Sequence, residues 1–225
     1  MITMDSIAPE PSLETQVLQY FAPRLFLHGH SVEVDAKKYR VGIRPGNVKI
    51  READDNEYGP DALIFVEGER VGVIDPERKT EWAGGEWPSN WTVNVAVYPR
   101  NQYDSGLFNK NSRTKKLQFM KDCASRGEPG FIVFYSNAFG DSGNFNTRAK
   151  PDSKRSALLV PALALYSQNG DERLPVGEQV NNFGRPLPVF KVPIEECFLA
   201  QTPQEFENFI LSLTCSFIRS RKNED

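Results

Sequence analysis

The sequence predicts an α/β fold: apolar residues at helical spacing open the chain, two β-rich runs separated by a Gly-containing loop follow, and a capped amphipathic helix closes it. The composition supports such a fold. A chain of 225 residues, 39% hydrophobic and 25% charged with 15 Phe, carries enough apolar surface for a substantial core, and a single domain over residues 1–225 is expected.

After a Pro-rich start, Leu13, Val17, Leu18 and Phe21 mark the first helix, which Pro23 ends. Ser31–Val34 and Tyr39–Ile43 alternate weakly and read as short strands, with Pro45 and Gly46 in the turn beyond them. Ala62–Val66 and Arg70–Asp75, separated by Glu67-Gly68-Glu69, read as a hairpin, and a third strand is expected at Trp91–Val97. Thr114–Ala124 has helical composition with Leu117, Phe119, Met120 and Cys123 apolar, and Phe131–Tyr135 reads as a buried strand. Ser156–Tyr166 is an apolar run interrupted by Pro161, for which strand and helix both stay open. Val189–Val192 reads as extended. In Thr202-Pro203-Gln204-Glu205 an N-cap, a Pro at the first helical position and a capping-box Glu precede Phe206, Phe209, Ile210, Leu213 and Phe217, the best-marked helix in the chain. Residues 1–11 and 219–225 are expected to be flexible ends.

No run approaches the length needed to span a bilayer, and the N-terminus lacks the basic flank and apolar stretch of a secretory signal, so a cytoplasmic protein without a membrane partner is expected. Cys123, Cys197 and Cys215 are odd in number and far apart, which favours reduced core thiols over a disulfide or zinc framework. A net charge of −3 argues against coating nucleic acid by bulk electrostatics but leaves room for a local basic groove. Positive charge clusters at Lys110, Arg113, Lys115, Lys116 and Lys121, and again at Arg148, Lys150, Lys154 and Arg155, while Glu52, Asp54, Asp55 and Glu57 form an acidic group. Gly-x-Ser-x-Gly, Walker and dinucleotide-binding patterns are absent. His28 and His30, without Cys or a third His nearby, read as surface or turn residues rather than zinc ligands.

The chemistry signal lies in the hairpin. Asp61 opens its first strand, and Asp75, Glu77 and Lys79 stand at the end of its second, so that the turn brings these ends together. Residues two apart on a strand share a face; Glu77 and Lys79 therefore project together, joined by Asp75 if Pro76 introduces no bulge. Pro76 removes a ladder donor and implies an edge position or a bulge, which leaves either Asp75 or Glu77 as the second ligand of a metal. Asp61, Glu77 and the Arg78 carbonyl are hard oxygen donors suited to Mg²⁺, and a Lys beside them can orient water and offset phosphate charge. Two further acidic-x-Lys triplets, Asp35-Ala36-Lys37 and Asp152-Ser153-Lys154, lie in polar, loop-like surroundings with no apolar strand before them.

Pro60-Asp61 followed by Glu77-Arg78-Lys79 resembles the PD-(D/E)XK superfamily, the restriction-endonuclease-like nucleases, whose signature is Pro-Asp, a variable gap, then Asp or Glu, any residue and Lys. The likeness covers the hairpin and its ends. It implies an α/β core with a central mixed sheet flanked by helices in the order αβββαβ, Trp91–Val97 being the third strand. It implies a metal-dependent nuclease with Mg²⁺ or Mn²⁺ as cofactor and nucleic acid as partner, DNA favoured over RNA. In that reading Asp61, Glu77 and Lys79 are catalytic, and Asp61, Glu77, Asp75 and Glu14 are metal ligands. Glu14 is included because members of the superfamily often supply an acid from the first helix and it shares a stripe with Leu18 and Phe21; a Glu favoured by the helix dipole is the other reading. Lys110, Arg113, Lys115, Lys116 and Lys121 would hold the phosphate backbone, or form a solvated helix face. Trp82, Trp87 and Trp91 could stack on bases, although packing of the loop is favoured. The rival function is a non-catalytic nucleic-acid-binding or assembly module of the same fold. A homo-oligomer or larger complex is compatible with the sequence.

Overall fold

A computed structural model describes residues 13–46, 60–79, 81–88, 92–96, 112–141, 144–145, 154–180, 184 and 186–222. The first helix, α1 (Leu13–Phe21), buries Leu13, Val17, Leu18 and Phe21, the stripe its periodicity predicts. Pro23 ends it and starts a short second helix, α2 (Pro23–Leu27), where a missing N–H costs nothing. Strands β1 (His30–Val34) and β2 (Lys37–Pro45) follow, joined by Asp35 and Ala36 at φ 50° and 62°. The triplet Asp35-Ala36-Lys37 is thus a tight hairpin turn.

Strands β3 (Ala62–Val66) and β4 (Glu69–Lys79) form the expected hairpin around Glu67-Gly68, with β4 running four residues beyond the expected end at Asp75. The next strand, β5 (Val93–Ala96), is followed by helix α3 (Ser112–Ser125), strand β6 (Gly130–Ser136), the small ribbon β7 (Gly140–Asp141) with β8 (Asn144–Phe145), and strand β9 (Ala157–Pro161). Pro161 divides the ambiguous apolar run: β9 ends there and a single helical turn, α4 (Ala162–Leu165), begins. Strands β10 (Val176–Val180), β11 (Pro186–Val192) and β12 (Phe198–Ala200) precede the last helix, α5 (Pro203–Lys222). Its capping box forms as the sequence predicts: the Glu205 N–H donates to Thr202 Oγ1 at 3.2 Å and the Thr202 N–H donates to the Glu205 carboxylate at 3.1 Å. Residues 219–222, expected to fray, remain helical; Lys222 donates to the Val34 carbonyl and pairs with Asp35 at 3.5 Å while Arg221 pairs with Glu69.

The result is an α/β protein built on a seven-stranded mixed sheet in the order β1-β2-β3-β4-β6-β9-β12. Strands β1 to β4 form an antiparallel meander; β6 lies parallel to β4, with α3 as the crossover between them. The third strand expected at Trp91–Val97 exists in part, as β5, but not in this sheet: the edge of β4 is already taken by β6, and β5 pairs with β11 in a three-stranded sheet, β10-β11-β5.

Two apolar layers cover the two faces of the large sheet. One holds Ile64, Ile74, Phe131, Val133 and Tyr135 under α1, α2 and α5, with Phe21 stacked on Phe206 at 5.1 Å. Glu207, buried in α5, accepts from the Arg24 backbone N–H and side chain and ties α2 to α5. The other holds Val73, Ile132, Phe134, Leu158 and Val160 under α3, α4 and the second sheet. All three cysteines are free thiols. Burial pushes Cys123 and Cys197 up to about 12, which leaves them poor nucleophiles.

Candidate metal and phosphate site

The placement of the acidic residues follows from the ladder on either side of β4. On the β3 side the last pair is Ala62 opposite Ile74, so Asp61 and Asp75 occupy the next opposing positions. Asp61 is held there by its other neighbour: its carbonyl accepts from the Gly46 N–H at 2.8 Å, and a side chain at Gly46 would lie 1.7 Å from the Pro60 carbonyl oxygen. Only glycine permits that approach, so the turn at Pro45-Gly46 seats the Pro60-Asp61 pair on the sheet.

On the other side, β4 stays in unbroken parallel register with β6 from Val73 opposite Gly130 to Lys79 opposite Ser136. Pro76 therefore introduces no bulge against β6; among the described residues β4 pairs with β6 alone from Asp75 onward. Alternation then holds, and Val73, Asp75, Glu77 and Lys79 share one face, the face under α3. The Lys79 ammonium lies 4.6 Å from the centre of the Phe134 ring, which belongs to that same layer. Leu63 packs against it too, so Asp61, two residues earlier, falls on the same face.

Burial grades along the row. Asp75 is 1% exposed, and Asp61, Glu77 and Lys79 are half-buried. Glu77 is therefore the carboxylate that a solute can reach beside Asp61, while Asp75 lies beneath. Three carboxyl groups on one face, with the Arg78 carbonyl, are hard oxygen donors of the type that small divalent cations prefer. Among the described residues no three His, Cys, Asp or Glu side chains are already gathered as a metal-holding group. The chain matches no protein-family model, no curated protein and no solved structure.

Glu14 is half-buried on α1, whose apolar stripe packs against the opposite face of the sheet from Asp75, Glu77 and Lys79. The structure does not bring it into the row. The basic residues divide. Lys110 lies outside the described residues. Helix α3 ends beside the start of β6, where a side chain at Gly130 would meet Cys123, so as a crossover it runs back along β4 and β6. Its first turns, carrying Arg113, Lys115 and Lys116, lie toward the strand ends that bear Glu77 and Lys79. Lys121 sits roughly 12 Å further along the helix axis, exposed beside Gly170, away from that end. His28 is exposed just after α2 and His30 begins β1, in agreement with surface and turn roles.

The loop after β4 is tied down. Trp82 is buried with its ring 5.0 Å from that of Trp87, its N–H donates to the Lys79 carbonyl, and its own carbonyl accepts from Asn137. These two tryptophans pack the loop; Trp91 lies outside the described residues. A pair of buried serines, Ser136 and Ser156, completes the anchoring, with the Ser156 hydroxyl accepting from the Gly85 N–H at 2.8 Å. Nothing in the local sequence marks these serines, because their role depends on three strands and a loop meeting.

Proposed function

We propose that this protein is a metal-dependent nuclease, with a restriction-endonuclease-like core. The observation that carries the reading is that Asp61, Asp75, Glu77 and Lys79 come from adjacent strands to one face at one end of the sheet. The order of elements supports it: a helix, an antiparallel meander, a crossover helix and a strand parallel to the one bearing Glu77 and Lys79. In this reading β2, β3 and β4, of the four meander strands, would be the three strands of that core.

Asp61 and Glu77, with the Arg78 carbonyl, would hold Mg²⁺ or Mn²⁺, and the buried Asp75 on the same face offers a further carboxyl oxygen. When bound, such an ion polarises the scissile phosphate and lowers the pKa of water. Lys79, whose ammonium lies over the Phe134 ring, stands on the same face, where it would orient the attacking water and offset charge on the phosphate. The first turns of α3, whose sequence includes Arg113, Lys115 and Lys116, run toward the same strand ends, which would suit a phosphate backbone. DNA is the substrate favoured by the resemblance.

The test is cleavage of labelled single- and double-stranded DNA and RNA by the wild type, Glu77→Ala and Lys79→Ala in Mg²⁺, Mn²⁺ or EDTA. Cutting by the wild type alone, and only with metal, is the expected result. A folded wild-type protein that cuts nothing and gains no thermal stability from either metal overturns the reading and leaves the non-catalytic module.

A further inference from the structure

The strand ends beside Lys79 carry a second lysine built into the fold. The loop leaving Lys79 crosses the end of β6 at Asn137 and reaches the start of β9, where the Lys154 N–H donates to the Ala83 carbonyl at 2.7 Å. The Lys154 carbonyl in turn accepts from the Ser136 hydroxyl at 2.7 Å. A side chain at Gly84 would lie 1.8 Å from the Lys154 carbonyl oxygen, so only a glycine lets the loop approach so closely. The backbone of Lys154 is thus clamped from two sides while its side chain is exposed and runs past Gly85.

Register gives its relation to the row. Lys79 is opposite Ser136, and Ser136 donates its N–H to the Ser156 carbonyl at 3.1 Å, which places Lys79, Ser136 and Ser156 side by side across three strands. Lys154 precedes Ser156 by two residues and shares the parity of Leu158, which faces the same layer as Phe134. Two strand spacings across and two residues along separate Lys79 from Lys154, roughly 12 Å between backbones. Arg155, by contrast, turns to the other face, over Tyr20 and Phe139.

We infer that Lys154 is a second phosphate-contacting residue, holding the nucleic-acid backbone at a phosphate next to the one presented to Asp61, Glu77 and Lys79. This rests on the nuclease reading and names the path of the substrate strand: along the ends of β4, β6 and β9. A lysine that merely decorates a surface needs no fixed backbone. Here two hydrogen bonds and a close glycine approach fix the backbone from which the flexible side chain reaches, so its anchor point does not move on binding a phosphate.

The experiment is fluorescence anisotropy of a labelled DNA oligonucleotide, single- and double-stranded, with Ca²⁺ in place of Mg²⁺, across a series of salt concentrations. Lys154→Ala is expected to weaken binding about three- to tenfold at low salt and to reduce the slope of log affinity against log salt by about 0.9 for duplex or 0.7 for single strands. Lys154→Arg should restore most of the affinity, and Lys38→Ala, on β2 far from this end, should match the wild type. In cleavage assays the effect of Lys154→Ala should fall on KM more than on kcat. Wild-type affinity and salt slope in a folded Lys154→Ala protein overturn the inference and leave the nuclease reading standing. A wild-type protein that binds neither form of DNA, nor single- or double-stranded RNA in the same assay, overturns both.

Discussion

On the face of the large sheet covered by α1, α2 and α5, strands β4 and β6 present Ile74, Phe131, Val133 and Tyr135, and the helices seal them. On the other face the same two strands present Val73, Ile132 and Phe134 and then, in the same alternation, Asp75, Glu77 and Lys79. The change from apolar to charged coincides with the point where β3 stops, at Ala62 opposite Ile74. Among the described residues, where β4 pairs on both sides it serves the core, and where it pairs with β6 alone it carries charged side chains. Under the proposed function the two faces predict different behaviour on mutation: loss on the face under α1, α2 and α5 would be loss of stability, and loss at the strand end would be loss of reaction.

The largest effect expected is on catalysis. Glu77→Ala and Lys79→Ala should each reduce cleavage by on the order of 10³-fold, equivalent to about 4 kcal/mol of transition-state stabilisation, with the melting temperature retained. A comparable fall in thermal stability in either variant would mean that the strand end is structural after all. On the opposite face, Phe21→Ala removes a fully buried ring from its stack on Phe206 and should cost about 3–5 kcal/mol in denaturant unfolding, while cleavage per folded molecule is preserved. Next in size is linkage to metal: Mn²⁺ at about 100 times its dissociation constant should add about 2.7 kcal/mol to the wild type and nothing to Glu77→Ala. An equal shift in both proteins would place the ion elsewhere. Smallest is Thr202→Ala, which removes the hydroxyl half of the α5 capping box and should cost about 1 kcal/mol without touching metal response or cleavage.

The parts legible in the sequence share a short range. The stripe of α1, the β3–β4 hairpin and the capping box of α5 each depend on residues a few positions apart, and each forms as read. The ends of elements were less legible. Arg219–Lys222, whose basic residues suit the last turn of a helix, also contact Val34, Asp35 and Glu69, brought near by the sheet. Sheet membership was not legible for Val93–Ala96, since its residues fit a strand in either sheet and only the parallel pairing of β4 with β6 sends it to β11.

The candidate site divides in the same way. The sequence by itself determined which residues could do chemistry: an acid after Pro60, and an acid and a lysine two apart at the end of an apolar strand, because spacing on a strand fixes a shared face. It could not determine whether Pro76 breaks that face, whether Asp75 lies opposite Asp61, or that Glu14 belongs to a helix on the far side. Nor could it select Lys154, which sits in a triplet that local context discounts. Those were decided by the tertiary structure, since register between strands and the path of a loop across strand ends are set by hydrogen bonds between segments far apart in the chain.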